Sequence, residues 1–163
     1  MQSKLSDALA DVLGKSEHQQ QKQRAIVAGW FSYADRKATF GDIKARDVVC
    51  EWLSDANIPF DVAGDQSYQI DGVDINKVSP KAYTIFIFVC GPWQLQKPIL
   101  ERFQHCMKIG VNLSITNEGN EGFDYLIPRD SPSARNPDIV FAAKTSLVPV
   151  MGIVLVHSQP MYG

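Results

Sequence analysis

Ala25-Ile26-Val27-Ala28-Gly29-Trp30, followed by a polar loop and then Thr39-Phe40-Gly41-Asp42 at the head of a helical pattern beginning at Ile43, is the stretch that decides the fold. The apolar run is continuous rather than alternating, which marks a strand covered on both faces, as parallel sheets require. A buried strand, a loop and a Gly-Asp pair opening an amphipathic helix is how an open α/β domain turns backbone N–H groups towards a ligand. The pattern therefore predicts where a site lies, at the carboxyl end of the first strand, without naming what it takes.

Downstream the same alternation continues. Ala45, Val48, Val49, Trp52, Leu53 and Ala56 share one helical face and Lys44, Arg46, Asp47, Glu51 and Asp55 lie away from it; Asn57 closes the helix and Pro59 prevents its continuation. Residues 59–63 then form a short second strand, completing a βαβ unit of right-handed crossover. Residues 64–69 are loop, and 71–80 loop with a helical turn. Residues 83–90 are the most β-prone run and are expected to be the central strand, ended by Gly91-Pro92. Ile99, Leu100, Phe103, Cys106 and Met107 make the next helical stripe, stopped by Gly110 before a strand at 111–115. Short apolar runs at 123–127 and 139–142 flank a polar segment, 129–136, and read as small strands around a helical turn. The fold class predicted is α/β, a Rossmann-like, mostly parallel sheet with helices on both faces.

The ends of the chain differ from its middle. Leu5, Ala8, Leu9, Val12 and Leu13 recur at helical spacing, and residues 17–24 carry no apolar side chain, so residues 1–24 read as an amphipathic helix and linker. That helix packs either on the edge of the domain or on a partner. Residues 148–156 are again a fully apolar strand, which either closes the sheet or opens a second lobe. The expected division is a helix and linker at 1–24, an α/β lobe at 25–148, and the beginning of a second lobe at 149–163.

At 163 residues and 45% hydrophobic, the chain can bury one sizeable core. A formal charge of −2 with no basic block argues against nucleic acid as a partner. Cys50, Cys90 and Cys106 lie in apolar runs without metal-ligand spacing, which suits a reduced interior. No charged segment leads into a long apolar stretch, so neither a signal peptide nor a membrane span is expected, and the predicted location is the cytoplasm.

The candidate chemistry gathers at strand ends. Asp42 either caps its helix or, at a carboxyl edge, hydrogen-bonds a substrate hydroxyl or acts as a base. The loop before it has neither a dinucleotide fingerprint nor a P-loop, which removes the main support for hydride transfer and nucleotide hydrolysis. Gly91, with Pro92 and Trp93 after it, is either a plain turn or a point of close backbone approach to a ligand. Arg129 is either a bidentate anion clamp or half of an ion pair with Asp130 that fixes the loop. Ser131-Pro132-Ser133 lacks a nucleophile elbow. His157 follows the terminal strand, a position from which an imidazole could bind an acidic substrate. His18 and His105 lie on polar faces, and no metal site is expected.

Taken in order, several segments resemble the N-terminal half of the polysaccharide pyruvyl transferase family: Gly29-Trp30-Phe31-Ser32, Thr39-Phe40-Gly41-Asp42 with the helix through Trp52-Leu53, Val89-Cys90-Gly91-Pro92, Arg129-Asp130-x-x-Ser133 with Pro137-Asp138, and Val154-Leu155-Val156-His157-Ser158-Gln159-Pro160. The resemblance spans residues 25–163. It implies two Rossmann-like lobes, as in GT-B glycosyltransferases, with chemistry in the cleft between them, and transfer of pyruvyl from phosphoenolpyruvate to sugar hydroxyls of a polysaccharide as a ketal. An acid protonates the enol-ether carbon, a base or polar group orients the acceptor hydroxyl, and cationic residues stabilise the departing phosphate. By this resemblance phosphoenolpyruvate is the donor and no cofactor is needed. The chain would form the acceptor wall through Thr39, Gly41 and Asp42, with Gly91 and Pro92 adjacent. The donor wall is expected from a missing second lobe, with His157 at the junction; a homo-oligomer is the other partner expected. Outside that class, the alternative is a non-catalytic or truncated Rossmann-like module that binds a ligand or partner.

Overall fold

The computed structural model describes residues 23–92, 97–115, 122–133 and 135–143. The expected N-terminal helix, the strand at 148–156, Trp93, His18 and His157 lie outside them.

Among the described residues, five strands form one sheet in which every pairing is parallel: β1 (Ala25–Gly29), β2 (Phe60–Val62), β3 (Ile85–Pro92), β4 (Met107–Ser114) and β5 (Tyr125–Asp130), in the order β2-β1-β3-β4-β5. This is the α/β, Rossmann-like sheet that the continuous apolar runs predict. Side chains alternate across it. Ala25, Val27, Ile85, Ile87 and Val89 face one layer with Val48, Val49 and Leu53 of α1 (Phe40–Asp55). Ile26, Ala28, Phe86 and Phe88 face the other, with Phe103 stacked on Phe86 at 4.8 Å. That second layer holds Ile99 and Leu100 of α2 (Lys97–Arg102), so helices do cover both faces.

α1 ends as its sequence prescribes. Asn57 takes a left-handed conformation at φ 56°, Asn57 N–H donates to Ser54 O at 3.0 Å, and Ile58 N–H donates to Leu53 O at 2.9 Å. These two bonds satisfy carbonyls that the last turn leaves without partners. At the other end the helix begins three residues before Ile43, because Thr39 caps it.

Three expectations change in the second half. The helical stripe stops at Arg102, and Met107 already belongs to β4. Gly110 is not a helix stop but an interior strand residue; a Cβ there would lie 2.8 Å from Leu126 Cδ1 and 2.9 Å from Leu113 Cδ1. The polar segment after Ile127 is in part β5, which carries Pro128 and Arg129, and residues 139–142 form a 3-10 turn rather than a strand. β5 lies at the sheet edge, where a proline costs no ladder bond on its open side.

The strand order locates a crevice. α1 carries the chain from β1 to β2 on one face, whereas α2 carries it from β3 to β4 on the other, so the connections leaving β1 and β3 diverge. Open α/β sheets take ligands at such a switch point, outside the carboxyl ends of the strands.

Candidate functional site

Thr39 and Asp42 form a reciprocal capping box. Asp42 N–H donates to Thr39 Oγ1 at 3.4 Å, while Asp42 Oδ2 accepts from Thr39 N–H at 2.6 Å and from the Thr39 hydroxyl at 2.9 Å. The capping reading of Asp42 is therefore realised, and one carboxylate oxygen is already committed. Gly41 lies in the first turn, where a Cβ would meet only Thr39 Oγ1 at an ordinary 3.5 Å, so no steric demand requires glycine there.

The ends of β3 and β4 depart from regular strand geometry. Cys90 (φ 64°) and Asn112 (φ 58°) are both left-handed, in a register that pairs Val89 with Val111 before them and Gly91 with Leu113 after them. A left-handed residue in a strand interrupts the two-residue alternation. Val89 and Cys90 consequently face the same layer, and Leu113 faces the layer opposite to Ile109 and Val111. Non-glycine residues held this way cost of the order of 1–3 kcal/mol each and cluster where structure serves a site.

What holds them is a polar network. Asn112 is 2% exposed; its Nδ2 donates to Cys90 Sγ at 3.2 Å and to Asp138 Oδ1 at 3.0 Å, and its Oδ1 accepts from Ile139 N–H at 3.3 Å. Asp138 also caps the 3-10 turn through Val140 N–H at 3.1 Å. Arg129 reaches the same carboxylate, with Nη1 at 3.5 Å from Asp138 Oδ2, while its Nη2 donates to Ser114 Oγ at 2.9 Å and its Nε to Asp130 Oδ2 at 2.7 Å. Burial pulls the Arg129 guanidinium pKa down; hydrogen bonding and charge from Asp130, joined by Asp138, outweigh this and hold it above the ordinary arginine value. The ion-pair reading of Arg129 is thus realised, on a strand rather than in a loop.

Burial pushes the Cys90 thiol up to about 12 against the hydrogen bond from Asn112, and the charges of Asp42 and Asp138 raise it further. Asp42, at the start of α1, stands on the carboxyl side of the sheet, as do Cys90, Asn112, Arg129 and Asp138 at and beyond the ends of β3, β4 and β5. Of the candidate residues, Thr39, Asp42, Gly91, Pro92 and Arg129 all stand at carboxyl ends of strands or at the start of α1, and Pro92 is the last residue of β3, paired with Ser114. Gly91 has φ 86°, and a Cβ on it would lie 2.6 Å from Trp30 Nε1, so the left-handed backbone and the packing of this chain's own Trp30 account for this glycine.

Sequence reasoning missed Asn112. Its signal was an amide inside an apolar strand, which is unfavourable unless it accepts a left-handed backbone or a buried network. It also missed Trp30, Tyr33 and Arg36 on the β1–α1 connection. An open groove of about 400 Å³ runs along α1 between Lys44, Asp47, Cys50, Ser54 and Ala143, apart from all of these groups. No family model, curated protein or solved structure matches the chain.

Proposed function

We propose that this chain is the acceptor-binding lobe of a pyruvyl transferase-like enzyme, seating a sugar hydroxyl at the carboxyl edge between Asp42 and Arg129. The observation that carries the reading is that these two residues, 87 positions apart in the sequence, both stand on the carboxyl side of one parallel sheet, Asp42 at the start of α1 and Arg129 near the end of β5. Carboxylate and guanidinium on one rim suit a polyhydroxylated ligand, since hydroxyls both donate to the former and accept from the latter. In the transfer itself, a proton adds to the methylene carbon of phosphoenolpyruvate. The acceptor oxygen bonds to the adjacent carbon, and a second hydroxyl displaces phosphate to close the ketal. Asp42 would orient the first hydroxyl through the oxygen that the cap leaves less engaged.

One observation favours a second reading, a non-catalytic binding module: Asp42 Oδ2 is held by two hydrogen bonds from Thr39, which suits a fixed acceptor better than a travelling base. Isothermal titration of the chain with a panel of neutral and acidic hexoses tests both readings. Saturable binding weakened about tenfold by Asp42→Asn and by Arg129→Gln is expected. In a full-length homologue that carries both lobes, ketal formation from phosphoenolpyruvate and the bound sugar, lost in the variant equivalent to Asp42→Asn, selects the transferase; sugar binding without turnover there selects the module. Absence of sugar binding, or binding indifferent to both substitutions, overturns the site.

A further inference from the structure

Buried N–H donors without a partner are uncommon, because each loses its hydration for nothing in return. Among the described residues two side-chain groups are in this state, Trp30 Nε1 and Arg36 Nε, and both lie on the connection from β1 to α1. Trp30 is 6% exposed and follows the last residue of β1 directly. Its indole edge lies against Gly91 at the end of β3, spanning the switch point between the two strands. Arg36 has one ion pair, with its neighbour Asp35 at 3.6 Å, and Asp35 is 70% exposed. Such a pair contributes little, so the guanidinium fork has a partner in solvent and an empty Nε inside.

Tyr33 lies between them in the chain, and its phenol feels the positive charge of both Arg36 and Arg102. Arg102 is committed to backbone, donating to the carbonyls of Ile75, Asn76 and Val78. The connection itself is anchored rather than loose. The Ser32 hydroxyl accepts from Gly29 N–H at 3.0 Å and donates to Ala63 O, and Ala38 N–H donates to Tyr68 OH at 3.2 Å. Donors held in place, two of them empty, with a guanidinium among them, call for a ligand made of acceptor oxygens with negative charge.

We propose that the β1–α1 connection is an oxyanion site, in which Trp30 Nε1 and Arg36 Nε donate to a phosphate or carboxylate group of a ligand seated at the β1/β3 switch point. It does not rest on the reading of the Asp42–Arg129 rim. The test follows the indole N–H signals of the full chain by NMR, at constant ionic strength, during addition of inorganic phosphate and, in parallel, of acetate. The Trp30 signal, assigned with Trp30→Phe, is expected to move downfield to saturation while that of Trp52 stays still. Saturation by phosphate assigns a phosphoryl group, and saturation by acetate alone a carboxylate. Arg36→Gln should raise the midpoint about tenfold or more. If Arg36→Gln unfolds the chain, Tyr33→Phe should leave saturation in place and Arg36→Lys, which retains the charge without the Nε donor, should weaken it. Shifts that never saturate with either anion, or that saturate equally in the folded Arg36 variants, overturn the site.

Discussion

The two ends of the sheet are built on opposite principles. At the amino end, Arg24 forks onto Asp61 with Nε at 3.1 Å and Nη2 at 2.8 Å from Oδ2, the Tyr83 hydroxyl donates to the same oxygen at 2.8 Å, and Arg24 N–H donates to Thr84 Oγ1 at 3.1 Å. Every side chain in that cluster has a partner, and the strands there are regular. At the carboxyl end, three successive features break regularity: left-handed Cys90, left-handed Asn112, and Gly91 beneath an indole whose N–H has nothing to bond. One end closes the sheet; the other keeps unspent hydrogen-bonding capacity and backbone strain. Strain of this kind persists only where surrounding structure enforces it.

Substitutions at the carboxyl end should therefore cost the fold more. The largest effect is expected for Asn112→Leu, which puts a branched side chain at φ 58° and leaves Ile139 N–H and Asp138 short of a buried partner. A loss of about 4 kcal/mol in urea-unfolding free energy is expected, with about half of it recovered in Asn112→Gly, where the backbone relaxes. Gly91→Ala comes next, at about 2–3 kcal/mol in the same measurement, because the new Cβ meets both a disfavoured φ and the Trp30 ring.

A third test reads pH. Burial first, against Asn112 and reinforced by Asp42 and Asp138, raises the Cys90 thiol from 9.0 to about 12; burial likewise raises Cys50 and Cys106 to about 11. Tyr33 and Tyr83 rise from 10.0 to about 12, again chiefly by burial. Groups whose pKa is higher in the folded state hold their protons longer there than when unfolded. Their contribution is therefore complete below pH 9 and is lost as pH climbs from 9 towards 12. Melting temperature should stay level through neutral pH and fall across that window, less steeply in Cys90→Ala. A level profile up to pH 12 in the wild type would show that these groups are not buried. The smallest effect belongs to the amino end: Tyr83→Phe removes one hydrogen bond from an Asp61 that keeps Arg24, and about 1 kcal/mol is expected. Were Tyr83→Phe to cost as much as Asn112→Leu, the distinction between the two ends would fail.

The residues that sequence reading placed well are those whose partners are near in the chain. Thr39 and Asp42 sit three positions apart and cap one another; Asn57 and Pro59 end α1 within six residues of its last buried residue, Leu53. Arg129 was legible as a charge with a neighbour at Asp130, but not as a bond to Ser114, 15 residues before it. Gly110 was misread because a glycine after a helical stripe has the same local chemistry as one that makes room for Leu126 on the next strand.

By itself the amino-acid sequence determined that this chain forms a layered parallel sheet, since unbroken apolar runs such as Ala25–Gly29 can be buried only between two covering layers, and that α1 is stopped at Asn57. Only the tertiary structure decided which residues meet at the carboxyl edge. Asn112 finds Cys90 across β3 and Asp138 beyond β5, 22 and 26 residues away, and Trp30 finds Gly91 across the switch point. The physical reason is one of range: periodicity and capping are settled within a helical turn or a strand. The strand order, and with it the left-handed backbone at Cys90 and Asn112 and the two empty donors, follows from how distant segments share one core.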